Sequence, residues 1–172
     1  GKPLRSDTIN LYDVADWIIK PFTAKEACSF VELVVDAGTV EQAPQWFISH
    51  WWGEPVRDFV AAVEAHTKAR GVESSAAYWV CAYANNQHEL GTDIATDPRQ
   101  TSFYKAMQQS TGVLLVLDAN GTPFTRVWCC FEEAMVVRDA SRTGAKLLLD
   151  VATVDGNGRA HVTTQGHTAA DL

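Results

Sequence analysis

The sequence predicts one α/β domain built on a parallel sheet with helices on both faces. Three observations carry that prediction. Downstream of Pro44, short unbroken apolar runs alternate with segments of helical periodicity, and unbroken runs are what strands buried on both faces require. Hydrophobic residues make up 47% and charged residues 20% of the chain, the balance of a folded globular domain rather than a disordered tail. The 172 residues suffice for one substantial core and are few for two.

The elements follow in order. Residues 1–43 read as an N-terminal helical extension, with "LYDVADWII" helical until Pro21 breaks it. A second helix is expected over "TAKEACSFVELVVDAG", with Thr23 and Glu26 as a capping box and Gly38 as the stop. The domain proper spans residues 44–172. Its strands are "QWFISHW", "AYWVCAY", "GVLLVLD" and "AKLLLDVAT", its helices "PVRDFVAAVEAHTKARG", "TSFYKAMQQST" and "TRVWCCFEEAMVVRDA", and "AHVTT" adds one weak strand. Ligands of such folds sit at the carboxyl ends of the strands, which puts "SHWWGE", "ANNQHEL" and "ANGTPFT" on one rim.

The formal charge of −7 argues against nucleic-acid and anionic-membrane binding, both of which need a basic face. No run approaches the roughly 18 apolar residues of a membrane span and no basic-then-apolar leader pattern is read before the fold, so a soluble chain is expected. Gly1 stands where a Met would begin a chain, so the sequence reads as a segment of something longer. The cysteines, Cys28, Cys81, Cys129 and Cys130, show no paired ligand spacing. Cys81 and Cys129 lie in or beside apolar runs and read as buried thiols in a reducing, cytoplasmic compartment. Neither glycine-rich phosphate motif occurs after a strand. A metal site drawn from His50, His88, Cys81 and Cys129 lacks close ligand spacing, so no metal is expected. A thiol nucleophile, Cys129 or Cys130 near a helix N-terminus with His50 as base, is a separate hydrolase reading.

The stretch "TRVWCCFEEAMVV" places Glu132 four residues after Trp128, on the same face of a helix that follows an apolar strand. Glu133, about a hundred degrees further round, reads as a solvated acid favoured by the helix dipole. Together, "WFISH", "SFYKAMQQSTGVLLVLD" and "WCCFEE" resemble the Toll/interleukin-1 receptor (TIR) domain over about residues 45–152. The resemblance is closer still to a group of algal and protist proteins carrying "SHWWGEP" and "YWVCAYANNQ". The chain departs from the TIR pattern at Arg126, where the family has Ser, at Glu133, where it has Leu, and across the Ala84–Gln100 loop.

The resemblance implies a flavodoxin-like three-layer fold and one of two roles. TIR domains are either interaction modules, whose partners are themselves or similar domains, or enzymes that cleave the nicotinamide–ribose bond of NAD. The enzymes use the motif glutamate, here Glu132; NAD is substrate, and no cofactor is implied. One carboxylate suffices, because nicotinamide leaves a pyridinium that already carries the positive charge, and only the oxocarbenium-like transition state needs stabilising. Glu132 must then be ionised, which a helix N-terminus favours and burial beside Trp128 opposes. The same reading gives the rim its roles. Trp51 and Trp52 offer indole faces to a base, at least one of them packing on a neighbouring helix, and Gly53 lets the backbone approach a ligand. His50 and Trp128 flank the cleft, and Tyr83, Asn85, Asn86 and Gln87 form a polar row for hydroxyls and base edges or, equally, a turn. Trp51 or Trp52, Asn85 and Glu132 are expected around one cleft.

Overall fold

The computed structural model describes residues 5–35, 42–89, 97–140 and 147–165. It has a mixed α/β fold around a five-stranded sheet, ordered β2-β1-β3-β4-β5. The strands are β1 (Pro44–His50), β2 (Ala77–Trp79), β3 (Gly112–Leu117), β4 (Leu148–Val154) and β5 (Ala160–Gln165). The first four are mutually parallel, as the apolar runs predict, and β5 is antiparallel to β4. The turn between β4 and β5 explains that reversal: Asp155 and Arg159 face each other across it (N to O, 3.0 Å), and Gly158 takes φ +77°. So short a link can only return the chain antiparallel.

Alternation along the strands sorts the core into two layers. Ile48, Leu114 and Val116 pack with Phe59 and Ala62 of the helix α4 (Val56–Arg70). Phe47 and Val113 pack on the other face with Met107 of α6 (Ser102–Gln109) and with Met135 and Val136 of α7 (Val127–Ala140). The left-handed Gly71 closes α4, where the sequence puts a glycine after the last helical residue.

The N-terminal segment is stitched into this body. Its helical stretch runs from α1 (Leu11–Val14) through a π-helical turn (Ala15–Ile19) into α2 (Lys20–Thr23). Leu11 and Ile19 are buried in the same cluster as Ile48 and Phe59. Backbone bonds from Leu11 N to Trp52 O (2.9 Å) and from Val56 N to Ile9 O (2.8 Å) tie the segment to the rim. Pro21 does not break the helix, because it falls at the start of α2, just after the wide turn, where its missing N–H is least felt.

The helix expected from Thr23 begins instead at α3 (Phe30–Val34). Ser29 and Glu32 form its capping box, with reciprocal bonds of 3.2 and 2.8 Å. Thr23 ends the preceding helix, donating its hydroxyl to Ile19 O at 2.8 Å. Gly38 lies outside the described residues. Strand β2 is shorter than "AYWVCAY": after Trp79 the chain turns into α5 (Cys81–Ala84), which brings the Cys81 thiol under the rim.

Away from the rim, a buried polar network pins α4 to the sheet. Arg70 donates two bonds of 2.6 Å to Asp150, and His66 lies 2.9 Å from the same carboxylate. Burial alone would raise the Asp150 pKa, but the bonds from His66 and Arg70 hold it below the usual carboxylate range. No helix among the described residues is long and apolar enough to cross a membrane.

Candidate functional site

The carboxyl ends of β1 and β2 and the head of α7 enclose a cavity of about 240 Å³. Its walls include His50, Trp51, Trp52, Cys81, Trp128 and Glu132, with Tyr12 reaching in from α1 and Phe103 from α6. Each indole is held differently. Trp52 donates its Nε1–H to Cys81 Sγ at 2.9 Å and leans on Tyr12 at 5.5 Å. Trp128 stacks on Phe103 at 6.0 Å. The Trp51 ring fills the space left by the missing side chain of Gly53, where an added Cβ would lie 2.1 Å from it. Gly53 thus makes room for an indole rather than for a ligand.

Glu132 is the acid of this cavity, 5% exposed. Ser49, last but one in β1, donates its hydroxyl to Glu132 Oε2 at 2.5 Å. Burial pushes the Glu132 carboxyl up to about 8, the charge of Glu133 adds to this, and the Ser49 bond opposes it. The helix dipole expected to keep Glu132 ionised acts only over the first turn, and α7 starts at Val127, leaving Glu132 in the second. Glu133 is not the solvated acid expected. Its Oε1 is buried without a hydrogen-bond partner among the described residues, and burial pushes its carboxyl up to about 7. Positions 129, 132, 133 and 136 share the inward stripe of α7, so both acids turn toward the sheet.

His50 belongs to the wall, but its side chain is 1% exposed and lies against Phe59, ring centres 4.7 Å apart. Its Nδ1 stands 3.4 Å from Glu54 Oε1, and burial raises the Glu54 pKa, partly offset by His50. The Cys129 thiol contacts the His50 carbonyl oxygen at 3.6 Å, not the imidazole. Burial pushes that thiol up to about 11 and Cys81 up to about 12, the opposite of an activated nucleophile. Cys130 is exposed and contacts Phe124 O. All four cysteines are free. His88 sits by Thr23, 2.9 Å from its hydroxyl, away from the cavity walls, and no group of three metal-ligating side chains assembles among the described residues.

The polar row after β2 does not line the cavity. Asn85 accepts from Ser102 at 2.8 Å, Asn86 donates to Ala27 O at 2.6 Å, and Gln87 donates to the Cys81 and Asn85 carbonyls at 3.2 Å. Tyr83 packs on Phe30. These residues brace α5, which in turn presents Cys81. Trp51 also borders a second crevice of about 300 Å³ at the ends of β1, β3 and β4, with Glu54, Asp118 and Asn120.

Comparison with known proteins finds no matching family model, no matching curated protein and no matching solved structure.

Sequence reasoning passed over Ser49, Tyr12, Phe103 and the inward turn of Glu133. For Glu133 the signal was partial: the stretch "WCCFEEAMVV" is otherwise apolar, but which of its faces meets the sheet comes only from the fold. Tyr12 gave none, since only the tertiary fold carries α1 to the rim.

Proposed function

We propose that the chain is a TIR-type, flavodoxin-like domain that cleaves the nicotinamide–ribose bond of NAD, as a glycohydrolase or a related ribosyl transferase. The observation that carries this reading is a buried carboxyl, Glu132, in an aromatic-walled cavity at the carboxyl ends of parallel strands. The volume is small beside the roughly 300 to 1,000 Å³ of ligand pockets and suits the reacting nicotinamide–ribose half.

Burial pushes the Glu132 carboxyl up to about 8, which favours its acid form at neutral pH. A pyridinium beside it favours the carboxylate, since an opposite charge at close range in a largely apolar cavity outweighs part of the burial cost. The C1′–N bond then breaks with its electron pair on nicotinamide, and the charge left on the ribosyl group faces the carboxylate. Trp51, Trp52 and Trp128 supply faces for the rings and keep water sparse. The test is incubation with NAD and chromatographic measurement of free nicotinamide, wild type against Glu132→Gln. Release by neither protein, or equal release by both, refutes the assignment.

A second reading is a non-enzymatic module that pairs with itself or with similar domains. It is favoured by apolar side chains at the head and on the outer side of α7: Phe124, Val127 and Val137 are 58%, 80% and 67% exposed. Association that depends on these side chains, in a chain that releases no nicotinamide, supports this reading.

A further inference from the structure

The sheet reverses its strand order between β1 and β3: from β1 the chain goes out to β2 and returns on the other side to β3. Open α/β sheets form their ligand crevices at that point, beyond the carboxyl ends of the strands. The second crevice, of about 300 Å³, lies there, walled by the segments that follow β1, β3 and β4. Its charges are one-sided. Glu54, Asp58, Asp118 and Asp155 line it against Arg57, and that guanidinium is bonded to Asp58 at 2.8 Å.

Three of the four acids have donors within the fold. Asp58 holds Arg57, Asp118 accepts from the Thr122 N–H and hydroxyl at 2.6 and 2.7 Å, and Asp155 accepts from the N–H groups of Asn157 and Arg159 at 2.9 Å. Glu54 is different. It is 5% exposed, and its Oε1 has no hydrogen-bond partner among the described residues. His50 Nδ1 stands 3.4 Å from that oxygen without forming a hydrogen bond. A buried carboxylate short of donors is costly to ionise, and burial raises the Glu54 carboxyl, with the charges of Asp118 and Asp58 adding to the rise. A positive group in the crevice relieves both effects, because it donates to Glu54 and offsets the neighbouring acids.

We propose that this crevice binds a small organic cation, an alkylammonium or guanidinium compound, with Glu54 as its anchoring carboxylate. The acids do not converge on a point: no group of three ligating side chains that could hold a metal ion assembles among the described residues. A metal ion needs such convergence, whereas a cation with several N–H donors on an apolar stem can be shared by carboxylates that stand apart. Trp51 also lines the crevice, and an indole wall attracts a cation through its ring. The proposal stands apart from the NAD-cleaving reading, which concerns the cavity of Glu132 on the other side of Trp51.

The test titrates ¹⁵N-tryptophan-labelled full chain by NMR at neutral pH and low salt with agmatine, which carries an ammonium and a guanidinium, and separately with magnesium chloride. Agmatine is expected to shift the Trp51 indole signal saturably, assigned by its loss in Trp51→Phe, and to leave that of Trp128 in place. Glu54→Gln, which keeps the shape and removes the charge, should weaken agmatine binding about ten- to a hundredfold. Asp118→Asn, which keeps an acceptor for the Thr122 N–H, should weaken it less, and decides the matter should Glu54→Gln fail to fold. Glu132→Gln, which removes the acid of the other cavity, should bind agmatine as wild type does. Binding that survives both Glu54→Gln and Asp118→Asn, or that is lost in Glu132→Gln, overturns the proposal. A saturable response to magnesium alone, or to neither titrant, overturns it as well.

Discussion

In the proposed NAD-cleaving role the buried Glu132 carboxyl serves activity at a cost to stability, so replacing Glu132 by Gln separates the two. In the unfolded chain a glutamate titrates at its ordinary 4.5, whereas in the folded protein burial moves Glu132 to about 8. The folded state therefore holds a proton that the unfolded state has released over that range. The contribution of Glu132 to stability is fully present below pH 4.5 and declines by about 1.4 kcal/mol per pH unit until about pH 8, on the order of 5 kcal/mol in all. Glu132→Gln cannot ionise, conserves volume, and still offers Ser49 a carbonyl oxygen. Urea denaturation of both proteins at acid, neutral and alkaline pH should give similar midpoints at the acid end. The variant should pull ahead as pH rises. In the NAD assay it should lose about a hundred- to thousandfold in rate, the worth of one charge aimed at a developing cation. Parallel stability curves refute the buried-acid argument. Undiminished nicotinamide release refutes the catalytic one.

Three further outcomes are expected. Asp150→Ala leaves Arg70 and His66 facing a buried void and should cost about 3 to 5 kcal/mol in urea denaturation; a loss below about 1 kcal/mol would show the network to be dispensable. Gly53→Ala drives a methyl into the Trp51 ring and should change tryptophan fluorescence and raise KM for NAD several-fold while the protein stays folded; unchanged values would remove Trp51 from the substrate site. Iodoacetamide at neutral pH should modify the exposed Cys130 well before Cys129 and Cys81; mass spectrometry showing Cys129 first would revive the thiol-nucleophile reading.

The departures from expectation share a cause. Thr23-x-x-Glu26 and Ser29-x-x-Glu32 are both capping boxes on paper, and the second wins because Thr23 is already committed to Ile19 O at the end of α2. The amides after β2 read equally as ligand donors or turn formers, and the contacts to Ala27 and Ser102 decide for the turn. Glu133 looked solvated because position on a helix alone says which residues share a face, not which face meets the sheet.

The sequence alone determined the architecture and one half of the site. Apolar runs such as "GVLLVLD" bury on both faces only as central strands, and carboxyl ends of parallel strands open on one rim, so Trp51, Trp52 and Glu132 could be placed together by counting residues. Only the tertiary structure decided the electrostatics. Whether Glu132 is charged depends on how completely α7 and β1 exclude water around it, and its partners Ser49 and Glu133 are set by the docking angle of that helix. Burial is a property of packing across the chain, between residues 83 apart, and local pattern carries no measure of it.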